Sequence, residues 1–153
     1  LDIFQIECTI YSLDIDISLV HEKAKADKRI YFIQGDCNDL SPTLSPELLA
    51  TLPHPWLLIE DAHVNLIGVL EYFHHQGIQR EDYLIVEDTN QFMWDYWRDH
   101  WDDQEEVEQG YQKMTDLRNW LMSHLNVYLV DTHYQDMYGL NGSKCSNSIL
   151  KRV

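Results

Sequence analysis

Residues Pro55 to Asn90 read PWLLIEDAHVNLIGVLEYFHHQGIQREDYLIVEDTN, and the fold is decided there. An apolar run closed by Glu-Asp occurs twice, as Trp56 to Asp61 and as Tyr83 to Asp88. Each run suits a strand buried on both faces. Between them Leu66, Val69, Leu70 and Phe73 fall at helical spacing. The pattern predicts a βαβ unit. A right-handed crossover makes its strands parallel and brings both C-terminal ends to the sheet edge where open α/β folds take ligands.

Neighbouring strands lie ~5 Å apart, or ~10 Å with one strand between them. Either spacing lets Asp61, Glu87 and Asp88 converge. Clustered carboxylates repel, and hard oxygen donors favour Mg²⁺, Mn²⁺ or Ca²⁺. The expectation is a divalent metal site, on one condition: successive strand residues face opposite ways, so the chain must already have turned at Glu87. A plainer reading stands beside it. Asp61, Asp88 or Thr89 could each be a helix N-cap, the ordinary use of such residues at a strand-to-helix junction. His63 is a ligand or base on one reading and a structural histidine on the other.

The bulk properties limit what the chain does. At 153 residues it is expected to form one domain with a single core. Lys and Arg number 11 against 26 Asp and Glu, a net charge of −15 that argues against nucleic acid and anionic membrane. Seven of the acids lie between Asp95 and Glu108, with only Arg98 among them. Cys8, Cys37 and Cys145 form neither a disulfide framework nor a zinc pattern. There is no apolar run of transmembrane length and no signal-peptide pattern, so a cytoplasmic location is expected.

Thr9 to Ile17 and Arg29 to Gln34 read as further strands, with a short polar helix over Leu19 to Ala26 between them. Ser45-Pro46-Glu47 is a helix start. Trp94, Trp97 and Trp101 share one helical face. That face is either a lid or platform beside the acidic edge, or a surface packed on the domain or on a second copy in a homo-oligomer. Gly110 to Leu125 predicts a helix with Met114, Leu117, Leu121 and Leu125 along its core stripe. Val127 to Thr132 and Ser148 to Val153 are expected to close the chain as an antiparallel hairpin with a long polar loop.

The chain resembles the cephalosporin hydroxylase / rhamnosyl O-methyltransferase family, within the class I S-adenosylmethionine-dependent methyltransferases. Five segments in order carry the resemblance: SLDIDI at 12 to 17, FIQGDC at 32 to 37, IEDAHVN at 59 to 65, DYLIVEDTN at 82 to 90, and the tail NGSKCSNSILKRV. It implies a Rossmann-like α/β sheet, mostly parallel with a C-terminal antiparallel strand. By the resemblance, Asp14 binds the ribose of S-adenosylmethionine, Asp36 and Cys37 border its adenine, and Asp61, Glu87 and Asp88 hold Mg²⁺ (or Mn²⁺ or Ca²⁺). The implied reaction is O-methylation of a small-molecule or glycan hydroxyl, with His63 available to take the proton. One departure is plain. The family's central strand and glycine-rich turn precede the acid matched by Asp14, yet no glycine precedes Gly35 here. Its loss leaves a gap between the strands ending at Asp14 and at Asp61. The chain is then N-terminally truncated, or Leu1 to Cys8 replaces the strand, or the remaining strands pair differently. A non-catalytic acidic interaction domain on a degenerate methyltransferase scaffold is the competing reading.

Overall fold

The computed structural model describes residues 7–131 and 146–153. Strands β1 (Ile10–Asp14) and β2 (Ile30–Gln34) pair in parallel as a sheet of their own. A second sheet has the order β3-β4-β6-β5. In it β3 (Leu57–Glu60) and β4 (Tyr83–Val86) are direct parallel neighbours, joined by helix α3 (Leu66–Gln76). The βαβ unit is therefore as expected. Strand β6 (Ser148–Arg152) runs antiparallel between β4 and β5 (Tyr128–Val130). Among the described residues no strand bridges β1 to β3, and the division falls where the sequence leaves a gap.

The first strand is shorter than predicted. Asp16 accepts the Ser18 N–H and caps a 3-10 turn over Ile17–Leu19, so the backbone leaves the sheet after Asp14. Helix α1 (Glu22–Lys25) is a single turn. Helix α2 (Pro46–Leu49) starts as its sequence dictates, with Ser45 Oγ accepting the Leu48 N–H and Pro46 where no intrahelical N–H is needed.

The core lies on one side of the four-stranded sheet. Leu84, Val86 and Leu150, all at most 1% exposed, meet Val69, Leu70 and Phe73 of α3 and Leu117 and Trp120 of α5 (Gln104–Ser123). Each such side chain removed from water stabilises the fold by about 1.5–3 kcal/mol. The opposite face corrects an expectation, since burial on both sides was predicted. There Leu57 pairs with Tyr83 and Ile59 with Ile85, yet Leu57 is 62% and Ile59 52% exposed. The described helices that reach the core pack on the other side, so alternate residues of the same apolar run end in opposite environments.

Helix α5 also begins earlier than predicted, and its buried stripe is Val107, Gly110, Lys113, Leu117 and Trp120. Met114 and Leu121 flank that stripe, and Leu125 lies beyond the helix and is exposed. Asp103 starts the helix by accepting the Glu106 N–H, and an acid at that end also suits the helix dipole.

At the end of the sheet away from Asp61 and Asp88, Asp82 is fully buried. Its carboxylate accepts the Trp56 N–H at 2.7 Å and the Gln79 N–H at 2.6 Å, and meets His54 Nδ1 at 2.8 Å. It thus fastens the start of β3 to the start of β4. Asp82→Ala strands two amide donors and an imidazole, and should lower the urea-measured unfolding free energy by roughly 3–5 kcal/mol. A loss well under 1 kcal/mol would refute this role for Asp82.

Candidate functional site: two strand ends and an acidic cluster

Because β3 and β4 are in register, Glu60 opposite Val86, the residues that follow them emerge side by side. Glu87 N–H donates to Glu60 O at 3.0 Å, and the strand geometry stops there. The turn is tight: Asp88 has φ 57°, and His63 and Asn65 across from it have φ 56° and 50°. Three non-glycine residues in the left-handed region at one sheet edge store strain of order 1–3 kcal/mol each. The condition that the chain turn at Glu87 is met.

Asp61, His63 and Asp88 each offer one ligand atom, and these atoms lie within 4.8 Å of one another. His63 Nε2 sits between the carboxylates, 3.2 Å from Asp61 Oδ1 and 3.3 Å from Asp88 Oδ2. Glu87 adjoins the group without being one of its three members. Burial raises its carboxyl above the ordinary 4.5, and the negative charges of Asp61 and Asp88 raise it further. Neither aspartate is a helix cap. The caps are Asn65 for α3 and Asn90 for α4 (Gln91–His100), and Asn90 Oδ1 accepts the Phe92 and Met93 N–H groups. Thr89 instead bonds its hydroxyl to Val86 O and Ser148 Oγ. The capping alternative is thereby set aside.

Several contacts invisible to sequence spacing hold these turns. Trp94 Nε1 donates to Asp88 O at 2.7 Å, and its indole lies flat on Gly110, where an added Cβ would come within 2.2 Å of the ring. Only glycine admits that approach. Asp88 N–H also donates to Asn147 Oδ1, and Thr89 N–H to Ser146 O. Trp94 is consequently 6% exposed and packs on the domain, as one of the two readings of the tryptophan face has it, whereas Trp101 is 40% exposed. Trp97 and Trp101 form an edge-to-face pair with centroids 4.3 Å apart, and Trp101 stands just past the helix.

Asp14 and the segment Asp36-Cys37 stand at the ends of β1 and β2. Asp14 Oδ1 accepts the Asp16 N–H, and Asp36 Oδ1 accepts both the Asn38 backbone and side-chain N–H groups. Asn65 Nδ2 donates to Cys37 O at 3.1 Å, joining this segment to the start of α3. Burial raises the Cys37 thiol first, then the charges of Glu60, Asp36 and Asp14, so acids of both sheets act on one thiol. A cleft of about 210 Å³ opens beside the cluster, with His63, Asn65, Trp94, Gly110, Lys113 and Asp116 among its lining residues.

The raised Glu87 carboxyl has a consequence for stability. An acid whose folded value is raised stabilises the fold at low pH, and that contribution fades as pH rises through the folded value. With a chelator present, Glu87→Gln should therefore exceed the parent in urea midpoint at about pH 7 and match it near pH 4. Equal midpoints at both pH values would contradict the crowding of these carboxyls.

No protein-family model matches this sequence, and no curated protein matches it significantly. Solved structures of CmcI do. An apo form aligns with TM-score 0.66 and 24% identity, covering 99% of this chain and 55% of that one. A form with Mg and SAM aligns with TM-score 0.66 and 26% identity over 99% and 56%. A form with SAH gives TM-score 0.61 and 23% identity over 99% and 59%. The chain spans a little over half the length of these CmcI chains. Over nearly all of its own length, this chain has the mixed α/β fold of CmcI, with parallel strand pairs and a C-terminal antiparallel strand.

Proposed function

We propose that the chain carries the cation site and the nucleoside-binding strand ends of a metal- and S-adenosylmethionine-dependent O-methyltransferase. One observation carries the reading. Two aspartates from separate strand ends, neither capping a helix nor paired with Lys or Arg among the described residues, share a histidine within 4.8 Å. The similarity to CmcI forms described with Mg and SAM and with SAH supports the same cofactors here.

The donor set fits a hard cation. Asp61 and Asp88 supply carboxylate oxygens, Glu87 adjoins them, and His63 Nε2 offers a third ligand atom between the two aspartates. Mg²⁺, Mn²⁺ and Ca²⁺ all take such oxygens. When bound, such an ion supplies Lewis acidity that lowers the pKa of an acceptor hydroxyl. Of the chain's own groups, Asp14 would accept the ribose hydroxyls and the Asp36-Cys37 segment would border the adenine. His63, half exposed at the cleft, would take the acceptor's proton. Bound S-adenosylmethionine would supply the methyl group to the acceptor oxygen and leave as S-adenosylhomocysteine, and His63 or water would take the acceptor's proton. The acceptor would be a hydroxyl of a small molecule or glycan.

Calorimetric titration with S-adenosylmethionine, with and without Mg²⁺, tests this. Binding heat is expected, and Mg²⁺ should strengthen it. Asp61→Asn should weaken Mn²⁺ binding about tenfold or more while leaving the fold intact. Absence of heat in both titrations would favour an acidic interaction domain on a methyltransferase scaffold.

A further inference from the structure

Beneath the cluster lies an ion pair that the proposed chemistry does not use. Lys113 of α5 and Glu60, the last residue of β3, have side chains 9% and 1% exposed, and Lys113 Nζ is 3.0 Å from Glu60 Oε2. Among the described residues no further hydrogen bond reaches either atom. Two charges withdrawn from water cost the fold several kcal/mol per ion before their attraction is counted. A well-packed apolar pair would commonly serve stability as well or better.

The rest of Glu60 gives the pair a use. Its other carboxylate oxygen, Oε1, accepts the Ala62 N–H at 3.0 Å, and its backbone oxygen accepts the Glu87 N–H at 3.0 Å. Ala62 is the residue between Asp61 and His63. One glutamate thus braces both turns of the cluster, and Lys113 anchors that glutamate to the long helix lining the adjacent cleft. We propose that Glu60, fixed by Lys113, is a positioning residue that holds the Asp61-Ala62-His63 turn in its cation-receiving shape. The inference rests on the cation reading for its purpose, but its geometry can be tested without a cation.

The comparison uses two double variants, because Lys113→Met alone leaves a buried unpaired carboxylate and risks unfolding. Glu60→Gln with Lys113→Met removes both charges and keeps an amide oxygen for the Ala62 N–H. Glu60→Ala with Lys113→Met removes the acceptor as well. Amide hydrogen exchange at Ala62 in chelator-treated protein should stay near the parent rate in the Gln/Met variant and accelerate in the Ala/Met variant. Mn²⁺ affinity should follow the same order, with the Ala/Met variant weakened by about tenfold to a hundredfold, as for other partners that orient metal ligands. Equal Ala62 exchange in the two folded variants overturns the positioning role, whatever the Mn²⁺ result. A parent that takes up no Mn²⁺ while the exchange rates differ overturns the cation reading and leaves the brace standing.

Discussion

Parallel pairing of β3 with β4, in register and without an intervening strand, governs the rest of the molecule. It delivers Asp61 and Asp88 to the same place. Two unit charges within 4.8 Å of one another repel by between about 1 kcal/mol at the dielectric of water and about 3.5 kcal/mol at an effective value of 20. That is comparable to losing a helix cap or a buried hydrogen bond, so the surrounding structure must answer it. His63 enters between the carboxylates, Trp94 and Asn147 secure the Asp88 turn, and Glu60 secures the turn on the other side. The left-handed backbone at His63, Asn65 and Asp88 accompanies this crowding.

Much of this was legible in the residues. The doubled apolar run with Glu-Asp at its end specifies the βαβ unit, and Ser45-Pro46 specifies a helix start, because local periodicity and capping chemistry need no tertiary information. Facing was less legible. Leu57 and Ile59 are as apolar as Leu58, and only the placement of helices decides which of them is covered. Similarly, Trp94, Trp97 and Trp101 share a helical face by spacing, but Gly110 on the neighbouring helix accepts the first indole, while Trp97 is half-buried and Trp101 exposed. Asp61 and Asp88 are ordinary capping residues until Asn65 and Asn90 are seen to occupy the caps.

The most informative omission was Lys113. A lysine inside the stripe Val107, Gly110, Leu117 and Trp120 is a visible break in the helical pattern, and its partner Glu60 repeats the position of Glu87 in the doubled run. Reading the stripe as Met114, Leu117, Leu121 and Leu125 places it one residue away and hides the charge. The two-sheet arrangement also bears on the cofactor. Among the described residues, the strand ends carrying Asp14 and Asp36 are linked to the β3 side through the Asn65 to Cys37 hydrogen bond rather than through strand pairing. Asp14 and Asp36 therefore stand at the edge of one sheet and Asp61 and Asp88 at the edge of the other.

All of this turns on whether the acids at the two strand ends receive a cation. A crystal of the chain grown with Mn²⁺ and measured for anomalous scattering tests that directly. The account predicts a single strong anomalous peak in contact with carboxylate oxygens of Asp61 and Asp88, with Glu87 turned toward it. A map with no peak there at saturating Mn²⁺, and His63 still seated between the two aspartates, would contradict it.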